Sequence, residues 1–199
     1  MAKTSKQIWL IRHGESEANA GARTSDPADI RLTPVGHKQA EELSCKFTAC
    51  PELVITSTFI RTIETAKPTR NKFPHIPCEE WHIHEFTYLS PAKCKNSIPV
   101  ERFPMVKKYW ETCDPAYCDG VGAESFIDFV ERIRSTIGKL KERKERSIVL
   151  FSHEQFLRGL LWMIEKNYPA ISHKEMKEYK RLFDAQRIPN CGIVEIELS

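Results

Sequence analysis

The sequence predicts an α/β fold: a three-layer αβα sandwich around a mostly parallel central sheet, with a short cap insertion. Three observations predict it. Residues 8–11, 53–55 and 148–151 are unbroken apolar runs, the composition of strands covered on both faces. Each run is followed by a segment whose apolar residues recur at helical spacing, and strands alternating with amphipathic helices build parallel βαβ units. Finally, the runs end abruptly in polar residues, Arg12-His13 after the first and Ser152-His153 after the last of the three.

The elements follow in order. The first strand, 8–11, breaks off at Arg12-His13-Gly14-Glu15. Thr33 can cap a helix and Pro34 suits its first position, so a helix should run from there to about residue 47. A second strand, 53–55, leads into a helix over 59–67. Pro68 should end that helix, because proline lacks the N–H and its ring clashes with the preceding turn. Residues 74–122 are rich in proline and aromatic residues and read as an irregular cap over the sheet's carboxyl edge, with one helix near 106–111. A short strand within it should carry His82 and His84 on one face. Phe126, Phe129, Val130, Ile133, Ile137 and Leu140 mark the clearest helix. A strand at 147–151, a helix at 155–166, a helix opened by the capping box Ser172-His173-Lys174-Glu175 and a last strand at 193–198 complete the chain. Residues 1–199 are thus expected to form one domain with the cap inserted.

Composition narrows the function. The chain has 199 residues, 41% apolar and 29% charged, as in ordinary soluble domains. A formal charge of +3 is too small a bias to indicate nucleic acid or a membrane surface as partner. Residues 1–7 are polar and lack the apolar stretch of a signal peptide, and no segment is apolar enough to span a bilayer. The seven cysteines are scattered without CxxC spacing, which suits free thiols in a reducing cytoplasm better than a zinc site or a disulfide framework.

The polar strand ends carry the chemistry. In open α/β sheets ligands collect beyond the carboxyl ends of the strands. There the first strand delivers Arg12, His13 and a glycine that permits a tight turn. The second delivers Arg61 in the first turn of its helix, and the fourth delivers Ser152 and His153 at the start of another. Arginine offers a planar fork matched to phosphate oxygens, and histidine can act as nucleophile or proton carrier. Helix amino termini also favour anions. Any one of these residues could serve packing alone, but two arginines and two histidines at one edge call for a dianion.

At this point the chain resembles a known family. Residues 11–19, Ile-Arg-His-Gly-Glu-Ser-Glu-Ala-Asn, resemble the signature of the histidine phosphatase superfamily, which includes the cofactor-dependent phosphoglycerate mutases. Leu32 to Gly36 with Gln39 and Ala40, residues 56–66, Glu124-Ser125 with Asp128 and Arg132, Ser152-His153 with Arg158, and residues 190–194 resemble its later segments, so the likeness covers most of the chain. The resemblance implies that His13 attacks phosphorus and becomes phosphohistidine. It implies that Arg12, Arg61 and His153 hold the phosphoryl oxygens, that Asn19 adds a contact, and that a carboxylic acid protonates the leaving alcohol. Glu85 sits where the family places that acid, with Glu79 and Glu80 as competitors. No metal or other cofactor is implied, since positioned cations supply the charge that phosphoryl transfer needs. His82, His84 and Glu85 could suggest a metal site, but three adjacent ligands with no fourth do not make a tetrahedral one.

The chain departs from the family in having Glu154 where a glycine usually follows the second histidine. Its side chain could face solvent or a cationic part of the substrate. The leading expectation is a metal-independent hydrolase of a small phosphomonoester. A mutase that moves phosphate within one molecule and a non-catalytic phosphate-binding module remain the alternatives. The short cap favours water as the acceptor.

Overall fold

The computed structural model describes residues 5–198. Among them, strands β1 (Lys6–Arg12), β2 (Leu53–Ser57), β3 (Cys78–Trp81), β4 (Ser147–Ser152) and β5 (Ile193–Leu198) form one sheet in the order β3-β2-β4-β1-β5. The first four are mutually parallel where they pair, and β5 closes the edge antiparallel to β1. The helices are α1 (Pro34–Cys45), α2 (Ile60–Lys72), α3 (Pro91–Cys94), α4 (Pro99–Thr112), α5 (Phe126–Glu142), α6 (Glu154–Glu165) and α7 (His173–Ala185).

Strand periodicity divides the interior into two cores. Ile8, Leu10, Leu53, Ile55, Ile148 and Leu150 pack with residues of α5, α6 and α7 on one face. Ile11, Val54, Val149 and Phe151 point the other way, onto Leu43 of α1 and Ala66 of α2. Both faces are covered, which is why these strands read as continuous apolar runs. Thr33 caps α1 by accepting from Gly36 N at 3.0 Å, and the Ser172–Glu175 box opens α7 as its sequence requires. Gly36 answers a close approach: a Cβ there would lie 2.0 Å from the Glu15 carbonyl, so the loop after β1 can rest on the first turn of α1.

Three expectations need correction. Helix α2 does not stop at Pro68 but continues to Lys72. Thr65, Ala66 and Thr69 are buried on both sides of the proline, and Lys72 Nζ donates to the carbonyls of Ser44 and Phe47. These anchors outweigh the roughly 3 kcal/mol that an interior proline costs a helix. Second, residues 78–81 within the expected cap are a sheet strand, and the helix expected near 106–111 starts at Pro99. Proline at the first position and Glu101 in the first turn explain that start. Third, β3 ends at Trp81, so His82 and His84 lie in the loop beyond it rather than on one strand face.

The core and the cap meet at Phe129, which is fully buried and stacks on Phe86 with ring centroids 4.3 Å apart. Phe129→Ala should lower the unfolding free energy by about 3–5 kcal/mol, as truncating a buried aromatic does. Urea titration followed by tryptophan fluorescence measures this, and a loss below about 1 kcal/mol would be incompatible with that packing.

Candidate active site

Sheet register brings the chemistry-bearing residues together. Arg12 pairs across to Ser152, and the ladder extends one step further through His13 N to Ser152 O at 3.0 Å. The next residue of each strand is a histidine, and the two rings sit with centroids 5.2 Å apart. On the other side of β4, β2 ends at Ser57 and α2 begins at Ile60, so Arg61 enters the same edge.

The hydrogen bonds fix both imidazoles. His13 Nδ1–H donates to the Gly14 carbonyl at 2.7 Å, leaving Nε2 to accept from Arg61 Nε at 3.2 Å. His153 Nδ1 accepts from Arg61 Nη2 at 2.9 Å, and its Nε2–H donates to Ser57 Oγ at 3.0 Å. A guanidinium only donates, so each contacted ring nitrogen must be unprotonated. Arg61 is completed by the Pro27 carbonyl, 2.6 Å from Nη1. Burial, followed by the neighbouring Arg61 charge, holds both histidines well below the usual imidazole range. Burial brings Arg61 down to about 10, which leaves it charged at neutral pH.

Arg12 lies beside them. Its Nη1 donates to the Ile188 carbonyl at 2.6 Å and to Glu154 Oε2 at 2.8 Å, while its buried Nε has no partner among the described residues. Glu154 therefore does not face solvent. It is 3% exposed, and besides Arg12 it accepts from the Arg187 guanidinium and from Ile188 N. A carboxylate can follow His153 because two arginines enclose it.

Glu85 reaches the start of α6. Its Oε1 accepts from Phe86 N, Gln155 N and Phe156 N at 3.1, 3.0 and 3.3 Å. Burial raises its pKa above the usual carboxylate value, opposed by these amides and by Arg61 and Arg12. The loop carrying it is held by Arg132, which pairs with Glu124 and donates to the carbonyls of His82 and His84. Glu85 and Arg61 line one cavity of about 330 Å³ with residues of α3 and α4. Of the competitors, Glu79 pairs with Arg143 at 2.8 Å, and Glu80 lies exposed on β3.

The remaining predicted residues reach this group through intermediaries: Asn190 Nδ2 donates to both the Asn19 side chain and the His13 carbonyl, and Phe59 lies against both His84 and His153. Asn19 is exposed, and its Oδ1 accepts from Ser16 N and Oγ and from Asn190 Nδ2. His84 stacks on Phe59 at 5.3 Å, and no three His, Cys, Asp or Glu side chains are grouped as metal ligands among the described residues. Sequence reading passed over Ser57 as a partner of His153, although it lies in the segment that carries Arg61. It also passed over Arg187, an exposed loop residue with no signal except the unexplained Glu154 across from it.

A family model described as histidine phosphatase superfamily, branch 1, matches residues 8–182. The chain is 26% identical over 170 residues to a 2,3-bisphosphoglycerate-dependent phosphoglycerate mutase of Corynebacterium efficiens, covering 77% of this chain and 67% of that one. It is 32% identical over 164 residues to a 6-phosphofructo-2-kinase/fructose-2,6-bisphosphatase of Aquarana catesbeiana, covering 79% of this chain but only 32% of that protein. The chain thus spans about a third of that relative's length. Among solved structures, a putative alpha-ribazole-5'-P phosphatase from Escherichia coli superposes with a TM-score of 0.75 at 21% identity, covering 98% and 92% of the two chains, which shows a shared fold. No helix among the described residues is long and apolar enough to cross a membrane.

The buried neutral histidines make stability depend on pH. Above about pH 6.5 the imidazoles are neutral in folded and unfolded chains alike. Below it the unfolded chain takes up protons that His13 and His153, with their lowered pKa values, refuse. Stability should therefore fall as pH drops from 7 toward 5, by up to about 1.4 kcal/mol per pH unit for each histidine. Denaturation midpoints in phosphate-free buffer measure this, and the slope should flatten in His153→Ala. An unchanged slope in that variant would show that the buried imidazole is not its source.

Proposed function

The chain belongs to the histidine phosphatase superfamily, and on that premise we propose that it is a metal-independent phosphomonoester hydrolase working through a phosphohistidine at His13. The observation that carries this reading is the state of His13. Its Nδ1–H is tied to a backbone carbonyl, and its unprotonated Nε2 faces the donors of a buried arginine. That is a nucleophile in the required tautomer beside the cation that would hold the phosphoryl oxygens.

The proposed steps follow from the geometry. Arg61, and Arg12 through its unpartnered Nε, offer donors to the phosphoryl oxygens, where charge spreads during transfer, and His153 joins them when its Nε2–H turns from Ser57 to the bound phosphoryl group. His13 Nε2 forms a bond to phosphorus as the phosphorus–ester oxygen bond breaks. Glu85 gives its proton to the departing oxygen, releasing the alcohol. Water then attacks phosphorus and yields a proton to the Glu85 carboxylate as the nitrogen–phosphorus bond breaks. Inorganic phosphate leaves, and His13 is neutral again. The two arginines supply the positive charge that a metal would otherwise bring. A cavity of about 330 Å³ suits a small phosphorylated molecule.

Acid-labile phosphate should be trapped on His13 when turnover of an aryl phosphate is quenched with denaturant, with EDTA present throughout. His13→Ala should abolish both label and turnover. Loss of turnover in EDTA, with recovery on adding a divalent ion, would refute metal independence. Label on His153 would reverse the two roles. Comparing free phosphate with any isomeric phosphoester formed separates hydrolysis from transfer within the substrate.

Glu85 is tested by leaving group. An alkoxide needs a proton to depart and a nitrophenolate does not. Glu85→Gln should slow phosphoenzyme formation from alkyl phosphates by about 10²–10⁴-fold and from nitrophenyl phosphate far less. Pre-steady-state bursts isolate that step. Equal losses on both substrates would remove Glu85 from the role of acid.

A further inference from the structure

Every backbone N–H and carbonyl of His13, Gly14 and Glu15 is hydrogen-bonded. His13 N donates to Ser152 O at 3.0 Å, and the His13 carbonyl accepts from Asn190 Nδ2 at 3.0 Å and from Cys191 N at 3.3 Å. Gly14 N donates at 3.0 Å to Oγ1 of the fully buried Thr65. The Glu15 carbonyl accepts from Thr33 N at 3.0 Å, at the start of α1. Packing reinforces these bonds, since a Cβ on Gly14 would lie 2.7 Å from the Gly36 carbonyl. The path of the loop is thus held without the contact from Glu15 N to Gln39 Oε1 at 2.8 Å. That contact calls for another explanation.

Glu15 N–H and the Gly14 carbonyl belong to one planar peptide unit and point in opposite directions. The carbonyl accepts from His13 Nδ1–H at 2.7 Å. One line of hydrogen bonds therefore runs from the nucleophile to the half-buried Gln39 in α1: His13 Nδ1–H to Gly14 O, then Glu15 N–H to Gln39 Oε1. A peptide unit between two fixed neighbours can still rotate about the axis joining its Cα atoms. Such a rotation would carry the Gly14 carbonyl away from the His13 ring, and the Gln39 bond opposes it. Hydrogen bonds in series also polarise one another. An acceptor on the Glu15 N–H makes the carbonyl a stronger acceptor for Nδ1–H, which leaves more electron density on the ring at Nε2.

We propose that Gln39 is a positioning residue for the nucleophile: by accepting from Glu15 N it holds the Gly14–Glu15 peptide so that its carbonyl orients and polarises the His13 ring. This rests on the reading of His13 as the nucleophile. Gln39 touches no reacting atom. Its influence falls on the step in which His13 Nε2 bonds to phosphorus, whatever group departs, and not on the arginines that bind phosphate. In this it differs from Glu85, whose contribution depends on how badly the leaving group needs a proton.

The experiment has two arms. The first is spectroscopic and needs no turnover. In protein labelled with ¹⁵N at histidine, the Nδ1–H signal of His13 is identified by its loss in His13→Ala. It should be protected from exchange with water in the unaltered protein and in Gln39→Glu, which keeps an acceptor oxygen. Gln39→Met has a side chain of similar length and no such oxygen, and should lose that protection. The second arm measures phosphoenzyme formation in a single turnover. Gln39→Met should slow it by about tenfold, the rate equivalent of one hydrogen bond, on alkyl and nitrophenyl phosphates alike. Binding of inorganic phosphate should not change, and Gln39→Glu should restore most of the rate. Thermal midpoints establish folding. Gln39→Asn, whose amide is one methylene too short to reach, gives the same test if methionine disturbs the fold. A signal and a rate indifferent to Gln39→Met, or equal losses in Gln39→Glu and Gln39→Met, would overturn the proposal. A loss confined to alkyl phosphates would do so too, by tying Gln39 to the acid. A Gln39-dependent signal in a protein that forms no phosphoenzyme would sink the hydrolase reading and leave the hydrogen-bond line standing.

Discussion

Everything at the sheet edge depends on one guanidinium that donates to two imidazoles at once. Arg61 is 6% exposed and has no salt-bridge partner among the described residues. A buried charge without compensation costs several kcal/mol. Here the compensation comes from three neutral acceptors, His13 Nε2, His153 Nδ1 and the Pro27 carbonyl. The consequence runs in both directions. The arginine keeps its full charge for an incoming anion, and each histidine is fixed as a neutral ring with a defined tautomer. The arrangement exists only because β2, β4 and β1 are neighbours and end level with one another, so the topology of the sheet is itself a requirement of the site.

Glu154 shows how a negative charge can sit next to this site without spoiling it. Enclosed by Arg12 and Arg187, it forms with Arg187 a pair of no net charge, which leaves Arg12 as a surplus cation. It also accepts from Arg12 Nη1 only, so the buried Nε of that fork stays unpartnered. The amino terminus of α6, where Glu154 itself begins the helix, gives its amides at Gln155 and Phe156 to Glu85 instead. One helix start thereby orients a carboxyl group toward the cavity, while the residue that opens the helix steadies an arginine behind it.

The sequence disclosed the strands and the long helices because their burial is dictated locally. Residues 8–11 and 148–151 must be covered on two faces, and Phe126, Phe129 and Ile133 must share one. His13, Arg12, Arg61 and His153 were legible for the same reason, since each follows a strand or opens a helix at a position the topology forces to one edge. What escaped was whatever tertiary contact decides. Pro68 looked like a helix end until Lys72 was seen to reach across to α1. Arg187 carries no local pattern at all, because its significance lies in the carboxylate it meets. The side chain of Glu154 was an anomaly in the sequence and became intelligible only with its two partners in place.

The surroundings of Glu85 suit a group that must hold a proton in one step and release it for the next. Burial favours the neutral acid, while three amides on Oε1 and the charges of Arg61 and Arg12 favour the carboxylate. Oε1 is nearly saturated with donors, whereas Oε2 receives only Gln155 N at 3.3 Å, so the proton belongs on Oε2. On the proposed mechanism, a bound phosphomonoester brings negative charge into the same small space and engages the arginines. Both effects weaken the support for the carboxylate and keep the acid protonated until the leaving oxygen takes the proton. Once the alcohol has gone, the amides of α6 remain to stabilise the carboxylate that must deprotonate water. On that mechanism the two opposed influences on Glu85 act at different stages of the cycle, burial where it gives up its proton and the amides where it takes one back.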